Sequence, residues 1–271
     1  MPAPPLAFCS ISALDRPLRA AAELAAAAGL DGLEVTARPP HLDPEAPLAE
    51  IRRAGDEVRA AGVEVVAYGS YLGRPDRHGA KAAQREAALA AALGTPRLRV
   101  WADCIPGAPD GGSETVVATL RAACDAAAAD GIDVVVERHV GSFADTPERI
   151  DALLTAVDRP NLALNYQVLD GLPQRLAAAQ PDDARRLAPR ARYFHLKNLR
   201  PAADGQGPMA PGASLAEGVL DYRAILAAAF AAGYAGPLTI EFLSFAPLPV
   251  EEKLAADTAW LRGVLASLDR S

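Results

Sequence analysis

"AAADGIDVVVE", residues 127–137, runs from an alanine-rich helix end through a glycine stop into a short apolar strand. A glycine just past a helix, followed at once by an apolar run, is the helix-to-strand junction of a βα repeat. The same phrase returns as "AAAAGLDGLEV" (25–35), "AAGVEVVAYG" (60–69) and "AAGYAGPLTIE" (231–241). Weaker copies complete a set of eight strands, at residues 6–12, 32–36, 63–69, 97–102, 133–139, 161–167, 191–198 and 237–244. Helical stretches separate successive strands, and "VEEKLAADTAWLRGVLASL" (250–268) closes the chain. Eight βα units in 271 residues predict an α/β fold, a (β/α)8 TIM barrel forming a single domain over 1–271. A doubly wound open sheet fits less well, because "CSISALDRP" (9–17) after the first strand is not a glycine-rich phosphate turn.

Composition narrows the class. Hydrophobic residues make up 51% of the chain, enough for a sizeable core. The 27 basic residues against 34 acidic ones leave a net charge of −7, which argues against nucleic acid as a partner, since phosphate binding needs a basic surface. Cys9, Cys104 and Cys124 are too few and too scattered for a disulfide framework or a CxxC zinc site, and read as small residues in a reducing compartment. The start, "MPAPPLAFCSIS", lacks a basic n-region and a long apolar core, and no stretch is long enough to span a membrane. A cytoplasmic protein is expected, and assembly into a homo-oligomer is compatible with the sequence. The long irregular stretch 200–218 is expected over the catalytic face.

Active sites of these barrels form at the C-terminal ends of the strands. Four consecutive strands end in side chains able to bind a metal: Glu137 on the fifth, Asn165 and Gln167 on the sixth, His195 on the seventh and Glu241 on the eighth. Residues two apart on a strand share a face, so Glu137 pairs in direction with His139, Asn165 with Gln167 and His195 with Lys197. Such a ring of oxygen and nitrogen donors suits one hard or borderline divalent cation. Tyr68, Arg99, Trp101 and Glu34 also lie near strand ends, as substrate contacts or as packing around the site. His41 and His78 fall in loops, where solvated side chains are expected.

"VVVERHVGSFADTPERIDALLTAVDRPNLALNYQ" (134–167), "YFHLKN" (193–198), "EGVLDYRAIL" (217–226) and "GYAGPLTIEF" (233–242) carry a resemblance to a known family. Most of the chain is similar to the sugar phosphate isomerases/epimerases of the xylose-isomerase-like barrel superfamily. That superfamily includes ketose 3-epimerases, hydroxypyruvate isomerases, inosose dehydratases and 3-dehydroshikimate dehydratases. The resemblance implies one divalent metal ion, Mn²⁺ as the first expectation with Mg²⁺, Co²⁺ or Zn²⁺ as alternatives. It implies Glu137, Asn165, His195 and Glu241 as ligands and the two glutamates as the acid/base pair; Gln167, on the same face, is the alternative ligand to Asn165. At Asn165 the chain departs from the aspartate of the family, and the histidine that follows it in ketose epimerases is absent from "NYQVLD".

The resulting expectation is a metal-dependent isomerase or epimerase that acts on a small carbohydrate-like keto compound through an enediolate. Glu137 and Glu241 are the catalytic pair, and His139, Lys197, Arg99, Trp101 and Tyr68 are the substrate contacts. A dehydratase or lyase on a related keto-polyol shares this chemistry. A non-catalytic or partner-dependent sugar-binding barrel with a weakened metal site is the alternative of a different class. A DNA-repair nuclease of the same fold would need a histidine-rich multi-metal cluster and a basic groove, and the chain has 4 histidines.

Overall fold

The structure, a computed structural model, describes residues 3–241 and 248–269. Eight parallel strands close into a barrel: β1 (Leu6–Cys9), β2 (Gly32–Thr36), β3 (Glu64–Gly69), β4 (Arg97–Val100), β5 (Asp133–Glu137), β6 (Leu162–Tyr166), β7 (Ala191–Leu196) and β10 (Leu238–Ile240). Each strand pairs with its neighbour in sequence, and β10 closes the ring by pairing with both β7 and β1. The helices are α1 (Leu18–Ala27), α2 (Leu48–Ala60), α3 (Ala80–Leu93), α4 (Ser113–Ala127), α5 (Pro147–Val157), α6 (Gln180–Leu187), α7 (Tyr222–Ala231) and α8 (Val250–Leu268). The eight expected units are therefore present. The junction that opened the sequence reading works as expected: Gly131, at φ +67, takes the left-handed turn between α4 and β5.

Two physical patterns build the barrel. Outward-facing strand residues such as Phe8, Leu33, Val35, Leu98, Val134, Val136 and Ile240 join one large core beneath the helices. The inward-facing set is different: Ala7, Val66, Ala67, Val135, Ala163 and Tyr193 form a small separate cluster inside the barrel. Its alanines leave room for the large Tyr193 ring and for arginine side chains. Above that layer, toward the C-terminal ends of the strands, the same alternation brings in Glu34, Arg99, Glu137, Asn165 and His195.

The strands β1, β4, β5, β6 and β7 are shorter than expected at their C-terminal ends, while β2 and β3 end at the expected residues. Strand β1 stops at Cys9 and turns into a 3-10 segment, Ser10–Ala13. The end of the eighth predicted strand, 242–244, lies outside the described residues. The stretch 200–218 is more ordered than its sequence implies. It carries an antiparallel pair, β8 (Asn198–Arg200) with β9 (Ala210–Ala213). Asn198 organises the base of this hairpin: its Nδ2 donates to the carbonyls of Leu215 and Leu220, and its Oδ1 accepts from the amides of Leu199 and Leu220. Gly218 is what lets Asn198 in, because a Cβ there would sit 2.0 Å from Asn198 Cγ.

Tyr68 does not face the barrel interior. It is paired with Val35 and Leu98, residues of the outward set, and its hydroxyl donates to Glu86 Oε2 on α3 at 2.8 Å. The expected substrate contact is thus corrected to a bond between the sheet and the helical layer. The register shift between Leu33 and Glu34 is where β3 changes its pairing with β2. Burial pushes the Glu86 carboxyl up, and the Tyr68 hydrogen bond works against that shift. Tyr68→Phe leaves a buried carboxyl without its donor and is expected to cost about 1–3 kcal/mol. A urea titration checks this: the midpoint falls, the slope is unchanged, and divalent-ion binding is unaffected.

Candidate active site

The valines of β5 lead into Glu137 because a guanidinium waits for it. Arg99, wholly buried on β4, places Nη1 3.0 Å from Glu137 Oε2 and donates from Nε to Glu34 Oε1 at 3.1 Å. Its Nη1 also donates to the Ser70 carbonyl at 3.4 Å. Gly69 makes this approach possible, since a Cβ at that position would lie 2.6 Å from both Arg99 Nη2 and Glu34 Oε1. On the other side of Glu137, Gln167 Nε2 donates to Oε1 at 2.8 Å and to the Arg138 carbonyl at 2.8 Å. The carboxylate is held from two directions.

Glu34 also organises His195. The imidazole donates from Nε2 to Glu34 Oε2 at 2.6 Å. Its Nδ1 then faces Asn165, whose Nδ2 donates to it at 3.3 Å, and lies 3.6 Å from Glu241 Oε2. Lys197, two residues on and just past the end of β7, sets Nζ 3.0 Å from Asp170 Oδ2 and 3.3 Å from Glu241 Oε2. Around the barrel, Glu137 and Glu241 therefore flank Asn165 and His195.

The electrostatics follow from burial and these pairings. Burial alone would raise the Glu34 carboxyl, but His195 and Arg99 outweigh it and hold the group down at about 2. Burial would lower His195, yet Glu34 and Glu241 prevail and push it above 6.5. Lys197 is raised because Glu241 and Asp170 overcome its desolvation, and Glu241 is lowered by Lys197 and His195 against its own burial. Glu34, Glu137, Glu241 and Asp170 outnumber the fixed cations Arg99 and Lys197, which leaves two uncompensated negative charges.

The side chains fit a divalent ion. Glu137 Oε2, Asn165 Oδ1 and Glu241 Oε2 are all buried without a hydrogen-bond partner, and Glu137 Oε2 has only its ion pair with Arg99. A metal-binding histidine generally donates its other ring N–H to a carboxylate, which is what His195 does with Glu34. Three oxygens, joined by the Nδ1 nitrogen once the Asn165 amide turns away from it, form a mixed donor set of the kind that borderline divalent cations accept. Among the described histidines, cysteines and carboxylates, a tighter trio exists in Cys9, Glu34 and His195, whose ligand atoms lie within 4.8 Å of one another. Both Glu34 oxygens in that trio are already bonded, to Arg99 and to His195. We therefore read it as the support beneath the site.

The other expected residues are distributed as follows. Trp101 and His139 meet at the rim with ring centroids 4.8 Å apart, and Arg74 lies over the indole at 4.5 Å. Trp101 is anchored by Nε1 donating to the Ser70 carbonyl at 3.0 Å. Gln167 turns its amide nitrogen onto Glu137 and keeps its Oε1 buried without a partner, so it both supports a donor and offers an oxygen of its own. Arg99 is committed to carboxylates of the chain itself and is corrected from a substrate contact to an internal ion-pair partner. His41 is buried against Ser10 Oγ and the Ala13 carbonyl, and is not solvated; His78 is half-buried. Glu34 proves central, and its signal was present: a glutamate ending the apolar "GLEV" on a strand. Asp170 and Arg74 had none, because both lie in loops without periodicity.

The chain belongs to the xylose isomerase-like TIM barrel family, whose profile matches residues 22–264. Several solved structures share the fold. One is a xylose isomerase-like TIM barrel protein from Mycobacterium smegmatis in complex with magnesium, 17% identical, covering 97% of each chain with a TM-score of 0.74. The probable 3-DHS dehydratase AsbF of Bacillus anthracis is 21% identical over 95% of this chain and 98% of that one, with a TM-score of 0.72. An L-ribulose 3-epimerase is 17% identical over 98% of this chain and 96% of that one, with a TM-score of 0.75. At these identities the likeness is one of fold. No curated protein matches the chain by sequence. No helix among the described residues is long and apolar enough to cross a membrane.

The Glu34–His195 pair makes the stability of the metal-free protein depend on pH. A folded-state value of about 2 for Glu34, against the ordinary 4.5, gives stability that is present above 4.5 and lost as pH falls toward 2. A folded-state value above 6.5 for His195 gives stability that is present below 6.5 and lost as pH rises through the shifted value. Melting curves with EDTA are therefore expected to show the largest gap between wild type and Glu34→Gln between these two limits. A gap that does not vary with pH would contradict the pairing.

Proposed function

We propose that the protein is a divalent-metal-dependent isomerase or epimerase of a small polyhydroxylated keto compound. The observation that carries this reading is the pair of buried glutamates, Glu137 and Glu241, each with an oxygen free of hydrogen bonds, flanking Asn165 and His195 at the catalytic end of the barrel. Glu137, Asn165, His195 through Nδ1, and Glu241 would hold the ion, with Mn²⁺ the first expectation and Mg²⁺, Co²⁺ or Zn²⁺ the alternatives. When bound, such an ion supplies Lewis acidity toward a substrate carbonyl. The magnesium complex and the L-ribulose 3-epimerase among the similar structures support this reading.

The chain's own groups perform the remaining work. Glu137, fixed by Gln167 and Arg99, takes the proton from the carbon beside the carbonyl. Glu241 returns a proton on the other side, drawn in turn from the Lys197 ammonium 3.3 Å away, while Glu137 gives up its proton to solvent and Lys197 regains one. Lys197 donates toward the negative charge that develops on a substrate oxygen, in a site where low dielectric strengthens such contacts. His139 and Trp101 at the rim meet substrate hydroxyls and the apolar edge of its carbon chain. A second reading, dehydration, is favoured by the Lys197 ammonium 3.3 Å from Glu241, a proton donor for a departing hydroxyl; the AsbF likeness is consistent with it.

Elemental analysis and calorimetry are expected to find about one Mn²⁺ per chain; no uptake of any of the four ions would remove the reading. With a panel of ketoses and cyclic keto-polyols, Glu137→Gln and Glu241→Gln should each lower turnover about 10²–10⁴-fold. Both should also abolish exchange of the substrate C–H proton with D₂O, and full exchange in either variant would sink the pair.

Asn165→Asp adds a charge to the donor set. It is expected to tighten Mn²⁺ binding while leaving turnover equal or lower, because a stronger donor makes a weaker Lewis acid. Unchanged affinity, measured by calorimetry, would mean that Asn165 does not touch the ion.

A further inference from the structure

Lys197 stands between two carboxylates, but it treats them differently. Its ammonium donates a hydrogen bond to Asp170 Oδ2 at 3.0 Å. Glu241 Oε2, at 3.3 Å, is close enough for an ion pair yet has no hydrogen-bond partner. That same oxygen lies 3.6 Å from His195 Nδ1, so it is the one turned toward the other candidate ligands. Asp170 belongs to the loop between β6 and the turn that begins at Gln174, with its side chain 31% exposed. Its Oδ1 is buried and without a partner, which leaves it capacity to accept from the same ammonium.

An ammonium and a divalent ion cannot share one carboxylate oxygen without strong repulsion at such distances. Asp170 offers the ammonium another place. We infer that Asp170 is a positioning residue that gives Lys197 a second partner, so that the ammonium can yield Glu241 Oε2 to the ion, an inference that rests on the metal reading above. Ion uptake then draws Lys197 fully onto Asp170 and ties the 167–173 loop to the end of β7. The loop would carry its neighbour along, since the Met209 amide donates to the Leu172 carbonyl at 3.0 Å and the Gln174 amide to the Gly207 carbonyl at 2.8 Å.

Calorimetric titration with Mn²⁺ of wild type, Asp170→Asn, Lys197→Met and the double variant tests this, with thermal melts to show that each is folded and Lys197→Gln as a substitute if Lys197→Met is not. Asp170→Asn should weaken binding about tenfold, because Lys197 is left with Glu241 alone, and Lys197→Met should tighten it severalfold. In the Lys197→Met background, Asp170→Asn should change affinity by less than about twofold, the signature of an effect exerted through the lysine. Hydrogen exchange adds a second readout: Mn²⁺ should slow exchange across 167–173 in wild type and not in Asp170→Asn. An equal loss in both backgrounds would show that Asp170 acts only by its charge, and no loss would show that it is a bystander; either overturns the inference while the metal site stands. Absence of Mn²⁺ uptake in wild type and all variants would overturn both together.

Discussion

A guanidinium buried inside the barrel, bonded to one glutamate and ion-paired with another, is the constraint on which the rest of the site depends. Arg99 reaches from β4 to Glu34 on β2 and Glu137 on β5. Removing three charges from water is costly, and such an arrangement survives only where geometry and further hydrogen bonds compensate. Here they do: Glu34 has His195 on its second oxygen, Glu137 has Gln167 on its own, and Arg99 has the Ser70 carbonyl as well. Its value is placement. Arg99 fixes Glu34, Glu34 fixes the imidazole, and the imidazole presents Nδ1 to Asn165 and Glu241.

The interior is divided into two layers with different duties. The lower layer, of alanines, valines and Tyr193, fills the barrel. The upper layer is polar, with Glu34, Arg99 and Glu137 charged, yet as buried as the layer beneath it. Groups placed there cannot reorient through solvent, so their directions are set by each other before a substrate arrives. Preorganisation of that kind is what transition-state stabilisation by fixed charges requires. Within the upper layer, Glu34 and Glu241 together hold His195 above its ordinary value.

Asn165 and Lys197 both temper the negative charge at the top of the barrel. A neutral amide at the sixth strand lowers the negative charge offered to an ion, and an ammonium beside Glu241 lowers it further. Asp170, on a loop at the rim, works in the opposite direction by engaging that ammonium. The balance of the site is therefore set partly by residues outside the ring of candidate ligands, and it connects the ring to the loops that border the entrance.

The sequence by itself determined the repeat, the barrel, and the candidate ligands on four successive strands, because each rests on a local signal: a glycine stop, an apolar run and a strand period of two. Glu137, Asn165, His195 and Glu241 were legible for that reason. What each of these side chains touches was decided only by the tertiary structure. Tyr68 and Arg99 look alike in sequence, polar tips on apolar strands, yet one faces α3 and the other the barrel axis. The reason is that a register shift reverses which face a residue serves, and pairing across strands is not written in either strand alone. Partners such as Glu34 with His195, 161 positions apart, and Asp170 with Lys197, 27 apart across a loop, exist only once the ring has closed.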